Sequence, residues 1–157
     1  MFREMRRKNQ ALTREECAAL LQTERRGALA VTGDEGYPYA VPINFYYDEE
    51  DGRIYLHCAR EGHKLDAVRR CDKVCFTVWE RGEQRGDWSY HVRSVVAMGR
   101  AELVTDEALA RRQLDRLARK YYPPEDDFSE DMRKNFPRVQ MLAINIEHLS
   151  GKLVHEK

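Results

Sequence analysis

The stretch IYLHCAREGHKLDAV, residues 54–68, changes its period midway. Its first half alternates apolar and polar residues as a strand does, and its second half has the spacing of a helix. A glycine, a histidine and a lysine, Gly62-His63-Lys64, stand where the helix would begin. The first amides of a helix have no carbonyl partners and carry partial positive charge, so they can donate to an anion. Lys64 adds a full charge in that first turn, and glycine lets the backbone come close. The same residues also suit an ordinary surface helix with a solvated lysine, and G-H-K is not a P-loop.

Working outward, RIYLHC is the third of three runs that read as antiparallel neighbours. RGALAVTG and PYAVPINFYY precede it, joined through the short turns Asp34-Glu35-Gly36 and DEEDG. Upstream, Thr13 and Glu16 form a T-x-x-E capping box before AALL, which predicts a helix over about Thr13–Thr23. Downstream of the helix at about Gly62–Arg70, KVCFTVWE is a fourth strand and RGEQRGD a polar loop. WSYHVRSVVAMGRAELV is a long fifth strand, bent at Gly99. A helix starts at Thr105-Asp106-Glu107 and runs to about Tyr121, with Leu109, Leu114 and Leu117 near one face, and Pro123 and Pro124 end it. EDDFSEDMRKNFPRV is polar and has no clear period. VQMLAINIEHL is the last strand. Six strands with mostly hairpin connections predict a mainly β (α+β) fold, an antiparallel barrel with flanking helices, over a single domain of residues 1–157.

Lys plus Arg and Asp plus Glu both number 27, so the chain lacks the basic excess of a general nucleic-acid binder. No apolar run reaches membrane-span length, and MFREMRRKNQ lacks the apolar core of a signal peptide, so the cytoplasm is the expected location. The four cysteines, Cys17, Cys58, Cys71 and Cys75, then read as free thiols. His57, Cys58, His63, Cys71 and Cys75 crowd one region, but His57 and Cys58 point to opposite faces of a strand and the spacings are not those of a zinc site; no metal is expected.

Two further segments are candidates for ligand contact. In PYAVPINFYY, Pro38 and Pro42 remove ladder donors from an otherwise apolar strand, which belongs at an edge. Such an edge can face a flat ligand, or be covered by a helix or a second subunit. In Arg93-Ser94-Val95 a charge and a hydroxyl adjoin an apolar run; Arg93 could meet a phosphate or a ring carbonyl, or point to solvent. Trp79, Trp88 and Tyr90 fit interface packing better than a ring stack over a ligand. His148 and His155 read as surface residues.

G-Y-P-Y-A-V-P-I-N-F at 36–45, I-Y-L-H-C-A-R-E-G-H-K-L-D at 54–66, R-S-V-V-A-M-G-R-A at 93–101 and S-G-K at 150–152 resemble, in this order, the FMN-binding split barrels related to pyridoxamine 5'-phosphate oxidase, and among them the nitroimidazole-resistance (Nim) branch. The resemblance implies a six-stranded split barrel that forms a homodimer with FMN at the interface. It places Val41, Pro42, Ile43 and Asn44 along the isoalloxazine ring, His57, Cys58 and Ala59 along the flavin tail, and His63 and Lys64 at the phosphate. His63 departs from the Arg-Lys pair of the oxidases, and Ser94, beside Arg93 and Val95, stands where they carry a ring-binding glutamine. The oxidases' R-L-x-P substrate motif is missing from the terminal SGKLVHEK. The function implied is therefore an FMN-dependent reductase that passes electrons from a reduced nicotinamide to a nitroimidazole or similar acceptor, with His57 as candidate proton donor. The alternatives are a non-catalytic FMN-binding protein and the same fold holding haem or a deazaflavin.

Overall fold

The computed structural model describes residues 1–155. Helix α1, Arg14–Thr23, begins at the expected box: Thr13 N–H donates to Glu16 Oε2 at 2.7 Å, and Glu16 N–H to Thr13 Oγ1 at 3.2 Å. These bonds satisfy two of the amides that a helix start leaves free. Strands β1 (Gly27–Thr32), β2 (Pro38–Ile43), β3 (Phe45–Asp48) and β4 (Arg53–Ala59) follow, then helix α2 (His63–Arg70). Next come β5 (Lys73–Trp79), β6 (Glu83–Gln84) and β7 (Tyr90–Leu103). Helices α3 (Glu107–Tyr121) and α4 (Ser129–Asn135) precede the final strand β8 (Val139–His155).

All pairings are antiparallel, in the order β2-β1-β5-β7-β8-β4-β3, with the short β6 added to β7. The two ends of that order, β2 and β3, are consecutive pieces of chain separated by Asn44. The sheet therefore curls until one bent run borders both ends, which makes a split barrel of six strand directions with flanking helices. Phe45, Leu29, Leu56, Phe76 and Leu142 fill its interior with no exposed surface, and Phe45 meets Phe76 edge to face at 4.9 Å. Alternation sends Tyr46 and Tyr55 to the outside of the wall, where α3 covers them with Ala110 and Leu114. Beneath α3 the buried Asp48 accepts from Gln113 Nε2 and Arg116 Nη1, both at 2.6 Å, so its charge is paired where water is scarce.

Several expected boundaries shift. The run at 38–47 is two strands, because pairing passes from β1 to β4 at Asn44. The fifth strand begins at Tyr90, not Trp88, and its register slips between Met98 and Gly99, the expected bend. A Cβ at Gly99 would lie 2.1 Å from the Asn145 carbonyl oxygen, so only glycine fits that close approach. The last strand continues past Leu149 to His155 because β7 pairs with it as far as His91. The polar run at 125–139 holds α4, whose flanking Phe128 and Phe136 are buried. His148 and His155 are not plain surface residues: they stack on Phe2 and His91, with centroids 4.8 and 5.9 Å apart. No helix among the described residues is long and apolar enough to cross a membrane.

Candidate functional site

The break at Asn44 creates the site. β3 pairs with β4 only over Phe45↔Leu56 to Asp48↔Arg53, and β2 pairs with β1 alone. Beyond Leu56 the chain of β2 leaves β4, and a seam opens between β2 and the residues His57, Cys58 and Ala59. Continuing the register places Asn44 opposite His57 at the head of this seam. Backbone groups along an unpaired edge need partners, so a ligand in the seam gains hydrogen bonds that a closed barrel would spend on itself. Pro38 and Pro42 lie on this end strand, as their lack of an N–H requires.

The foot of the seam is the start of α2. Gly62 caps the helix with φ +126°, a conformation that side-chain-bearing residues avoid, and it provides no side-chain cap for the first amides. A Cβ there would touch nothing within 4 Å, so the glycine serves the backbone angle and leaves open space before the helix. Lys64 sits in the first turn, close enough for its charge to act on both His57 and Cys58. His63, expected beside Lys64, is engaged elsewhere. Its ring stacks on Tyr39 at 4.1 Å, and its Nε2 accepts from Asp34 N–H at 3.3 Å. Asp34 Oδ2 lies 3.6 Å from the same nitrogen, and Arg70 holds the other carboxylate oxygen at 2.8 Å. The β1–β2 turn and strand β2 thus supply His63 with partners that the sequence gives no sign of.

At the head of the seam two buried polar atoms, Asn44 Oδ1 and His57 Nδ1, have no hydrogen-bond partner. Burial, then the Lys64 charge, pushes the His57 pKa below its ordinary value, so the imidazole is neutral at neutral pH. Burial pushes the Cys58 thiol up against the smaller opposing pull of Lys64 and Arg69, and its Sγ faces the Gln140 carbonyl oxygen at 3.6 Å. Cys58 is therefore an inert core thiol that offers the seam only its backbone. Ile43 also points into the core, whereas Pro42 and Ala59 are exposed.

Tyr121, the last residue of α3, reaches the break. Its hydroxyl accepts from Phe45 N–H at 2.9 Å and lies 2.7 Å from the Arg25 and 3.0 Å from the Phe45 carbonyl oxygens. It thus supplies partners at the point where the ladder changes hands.

Arg93, Ser94 and Val95 are not brought to this seam within one chain. Val95 pairs with Val78, Val78 with Gly27 and Gly27 with Ile43, so β5 and β1 intervene. Val95 is fully buried, and Arg93 binds Glu80 through Nε at 2.8 Å. Among the described residues, no group of three or more His, Cys, Asp or Glu could hold a metal ion.

A family model described as pyridoxamine 5'-phosphate oxidase matches residues 13–153. No curated protein matches the chain. Among solved structures, a candidate 5-nitroimidazole antibiotic resistance protein from Bacteroides thetaiotaomicron superposes with TM-score 0.79 at 23% identity, over 92% of this chain and 87% of that one. An FAD-binding protein from Mesorhizobium loti gives 0.70 at 26% identity, over 92% and 96%. An FAD- and haem-binding protein from Mycobacterium smegmatis gives 0.75 at 24%, over 93% and 73%.

Proposed function

The chain belongs to the pyridoxamine 5'-phosphate oxidase family, and from that premise we propose that it is a flavoprotein reductase. It holds FMN in the β2–β4 seam of a homodimer and passes electrons from a reduced nicotinamide to a nitroimidazole or similar small acceptor. The observation that carries the flavin assignment is the seam itself, which has unpaired edges along its length and an anion-ready helix start at its foot. Two buried polar atoms without partners stand at its head. These residues fit a flavin monophosphate: Lys64 and the first α2 amides suit one terminal phosphate, and β2 presents backbone to the polar edge of a flat ring. The ligands named for the similar structures agree with a flavin.

A second copy has a natural seat. The outer wall carries Pro42, Ala28, Thr77 and Val96 in one cross-strand row and Ala40, Ala30, Cys75 and Met98 in the next. These side chains are small or apolar, and the exposed Trp79 stands at the end of the wall. Ser94, opposite Trp79, lies on this wall, so its expected flavin contact has a route through the second copy.

The flavin, when bound, supplies the two-electron chemistry. The protein's part would be to fix the phosphate through Lys64 and the α2 amides, to orient the ring along β2, and to keep a neutral His57 beside it whose ring N–H can donate a hydrogen bond.

The purified protein should show a flavin spectrum and release FMN, not FAD, on denaturation. Lys64→Ala should weaken FMN binding by about 1.5–3 kcal/mol, the scale of a hydrogen bond to a charged group, and leave riboflavin almost unchanged. Equal losses for both ligands would place Lys64 away from the phosphate, and a haem spectrum would reassign the seam. In stopped flow, the reduced protein should be reoxidised by a nitroimidazole. Reoxidation by oxygen alone, with nitroimidazole adding nothing, removes the reductase step and leaves flavin carriage.

A further inference from the structure

A cleft of about 470 Å³ lies between the first turns of α3 and the start of β8. Val139 and Gln140 in its wall pair with Ala59 and Cys58, so β4 separates the cleft from the seam. Arg60, the residue after β4, also lines it. Its floor is apolar, made by Ala110, Phe136, Val139 and Met141. An apolar floor with a few placed polar groups is the make-up of a small-molecule site.

Three of its polar side chains are either held rigidly or left without a partner. Arg111 lies over the Phe136 ring at 4.1 Å and donates to Glu107 at 3.1 Å. One face of its guanidinium is thus covered and one edge held, and the other face is left for a second flat group. Gln140 donates through Nε2 to the Val104 and Met141 carbonyl oxygens, at 3.3 and 2.9 Å. Both amide hydrogens are spent, which sets the orientation of the side chain and leaves Oε1 as a fixed acceptor with no donor among the described residues. Arg60 is exposed and forms no ion pair among the described residues, whereas Arg53, Arg69 and Arg70 on the neighbouring elements all do. Glu107 is the one carboxylate of the lining and is already taken by Arg111, so the cleft carries an uncompensated positive charge.

We propose that this cleft binds a nucleoside phosphate whose base carries an exocyclic amine, such as an adenosine phosphate. The base stacks on the open face of Arg111, its amine donates to Gln140 Oε1, and the phosphate meets Arg60. A free mononucleotide and the adenosine half of a reduced nicotinamide dinucleotide offer the same chemistry. The second source rests on the flavin reductase reading; the binding of the nucleotide does not.

AMP, adenosine and IMP are the probes. Adenosine lacks the phosphate, and IMP has a carbonyl oxygen in place of the amine. In calorimetric titration of the FMN-loaded protein, whose flavin site is filled, AMP should bind at least about tenfold more tightly than either and release no flavin. Arg60→Ala should remove the preference for AMP over adenosine. Arg111→Lys keeps the charge and loses the plane, so it should weaken AMP and adenosine by similar factors. No AMP binding, equal affinity for AMP and either of the other probes, or Arg60→Ala without effect overturns the proposal. Release of FMN by AMP also overturns it, and gives the nucleotide to the flavin site. Steady-state kinetics then separates the two sources, either of which supports the cleft. For the dinucleotide, Arg60→Ala raises its KM with kcat held, and AMP competes with it; for a free nucleotide, that KM does not move. If the protein takes up no FMN, the same titrations of the flavin-free chain and its Arg60→Ala variant decide the cleft, and the flavin assignment falls separately.

Discussion

Replacing Tyr121 by Phe removes a single oxygen at the point where the barrel splits. That oxygen accepts from Phe45 N–H at 2.9 Å and stands 2.7 Å from the Arg25 carbonyl oxygen, to which it can donate. It has one proton, so the Phe45 carbonyl at 3.0 Å is an alternative acceptor, not an additional one. Burial pushes the phenol pKa up, so the hydroxyl stays protonated through the neutral range. Two hydrogen bonds of about 0.5–1.5 kcal/mol net are lost, and the part-buried Phe45 amide adds some of the roughly 1–3 kcal/mol that an unsatisfied group costs. The expected loss is about 2–4 kcal/mol. For a chain of 157 residues it should lower Tm by about 5–12 °C. Urea denaturation with an unchanged m-value measures it directly. Because Phe45 follows Asn44, FMN binding should weaken as well, by a few fold. A stability change under about 0.5 kcal/mol together with unaltered FMN affinity would refute the claim that Tyr121 pins the break.

His57→Ala should lower nitroimidazole turnover roughly 10–100-fold, since water can partly replace a hydrogen-bond donor, and leave flavin bound; an empty flavin site would make His57 a cofactor ligand instead. Val96→Glu, which places a charge in the apolar outer wall, should turn a dimer into a monomer in sedimentation, and a wild-type chain that sediments as a stable FMN-loaded monomer would remove the dimer proposal. Burial lowers the Lys120 pKa to about 8, over the Phe45 ring at 3.8 Å, while the unfolded chain titrates near 10.5. The unfolded chain then holds more protons between those values, so stability should rise with pH from about 8 to 10.5. The gain should be about 1–2 kcal/mol once solvent screening of this half-buried amine is discounted. Lys120→Met should flatten that slope, and an identical slope in the variant would assign it to other groups.

The alternation of GALAV, INF and VCFTV was enough to read the barrel, because strand period survives wherever one face is buried. The start of α2 was equally legible, since Gly62 and Lys64 carry their meaning locally. The break at Asn44 was not. It has no glycine, and the hydroxyl that satisfies the backbone beside it belongs to Tyr121, 76 residues beyond Phe45 along the chain. The helix α4 had a signal that polarity obscured: Phe128, Met132 and Phe136 recur every fourth residue, one side of a helix. His63 was read for its neighbour Lys64, but its partners Asp34 and Tyr39 come from the β1–β2 turn and from β2, which local spacing cannot reveal. Arg93, Ser94 and Val95 read as one group because three residue types stood together, yet consecutive strand positions alternate faces: Val95 is buried in the barrel while Ser94 lies on the outer wall opposite Trp79.

Tyr121 also connects the seam to α3. It lines a cavity between α3 and α4, and its hydroxyl holds the residue after Asn44. A flavin lying along β2, as proposed, would bear on Asn44 and, through the Phe45 amide, on Tyr121. Coupling of this kind needs a physical element common to the seam and the helix, and a side chain fixed at both ends provides one. A barrel closed by continuous pairing could not transmit this, because its ladder would hold β2 whether or not a ligand was present. The split is thus what would let one hydroxyl on α3 respond to a ligand in the seam.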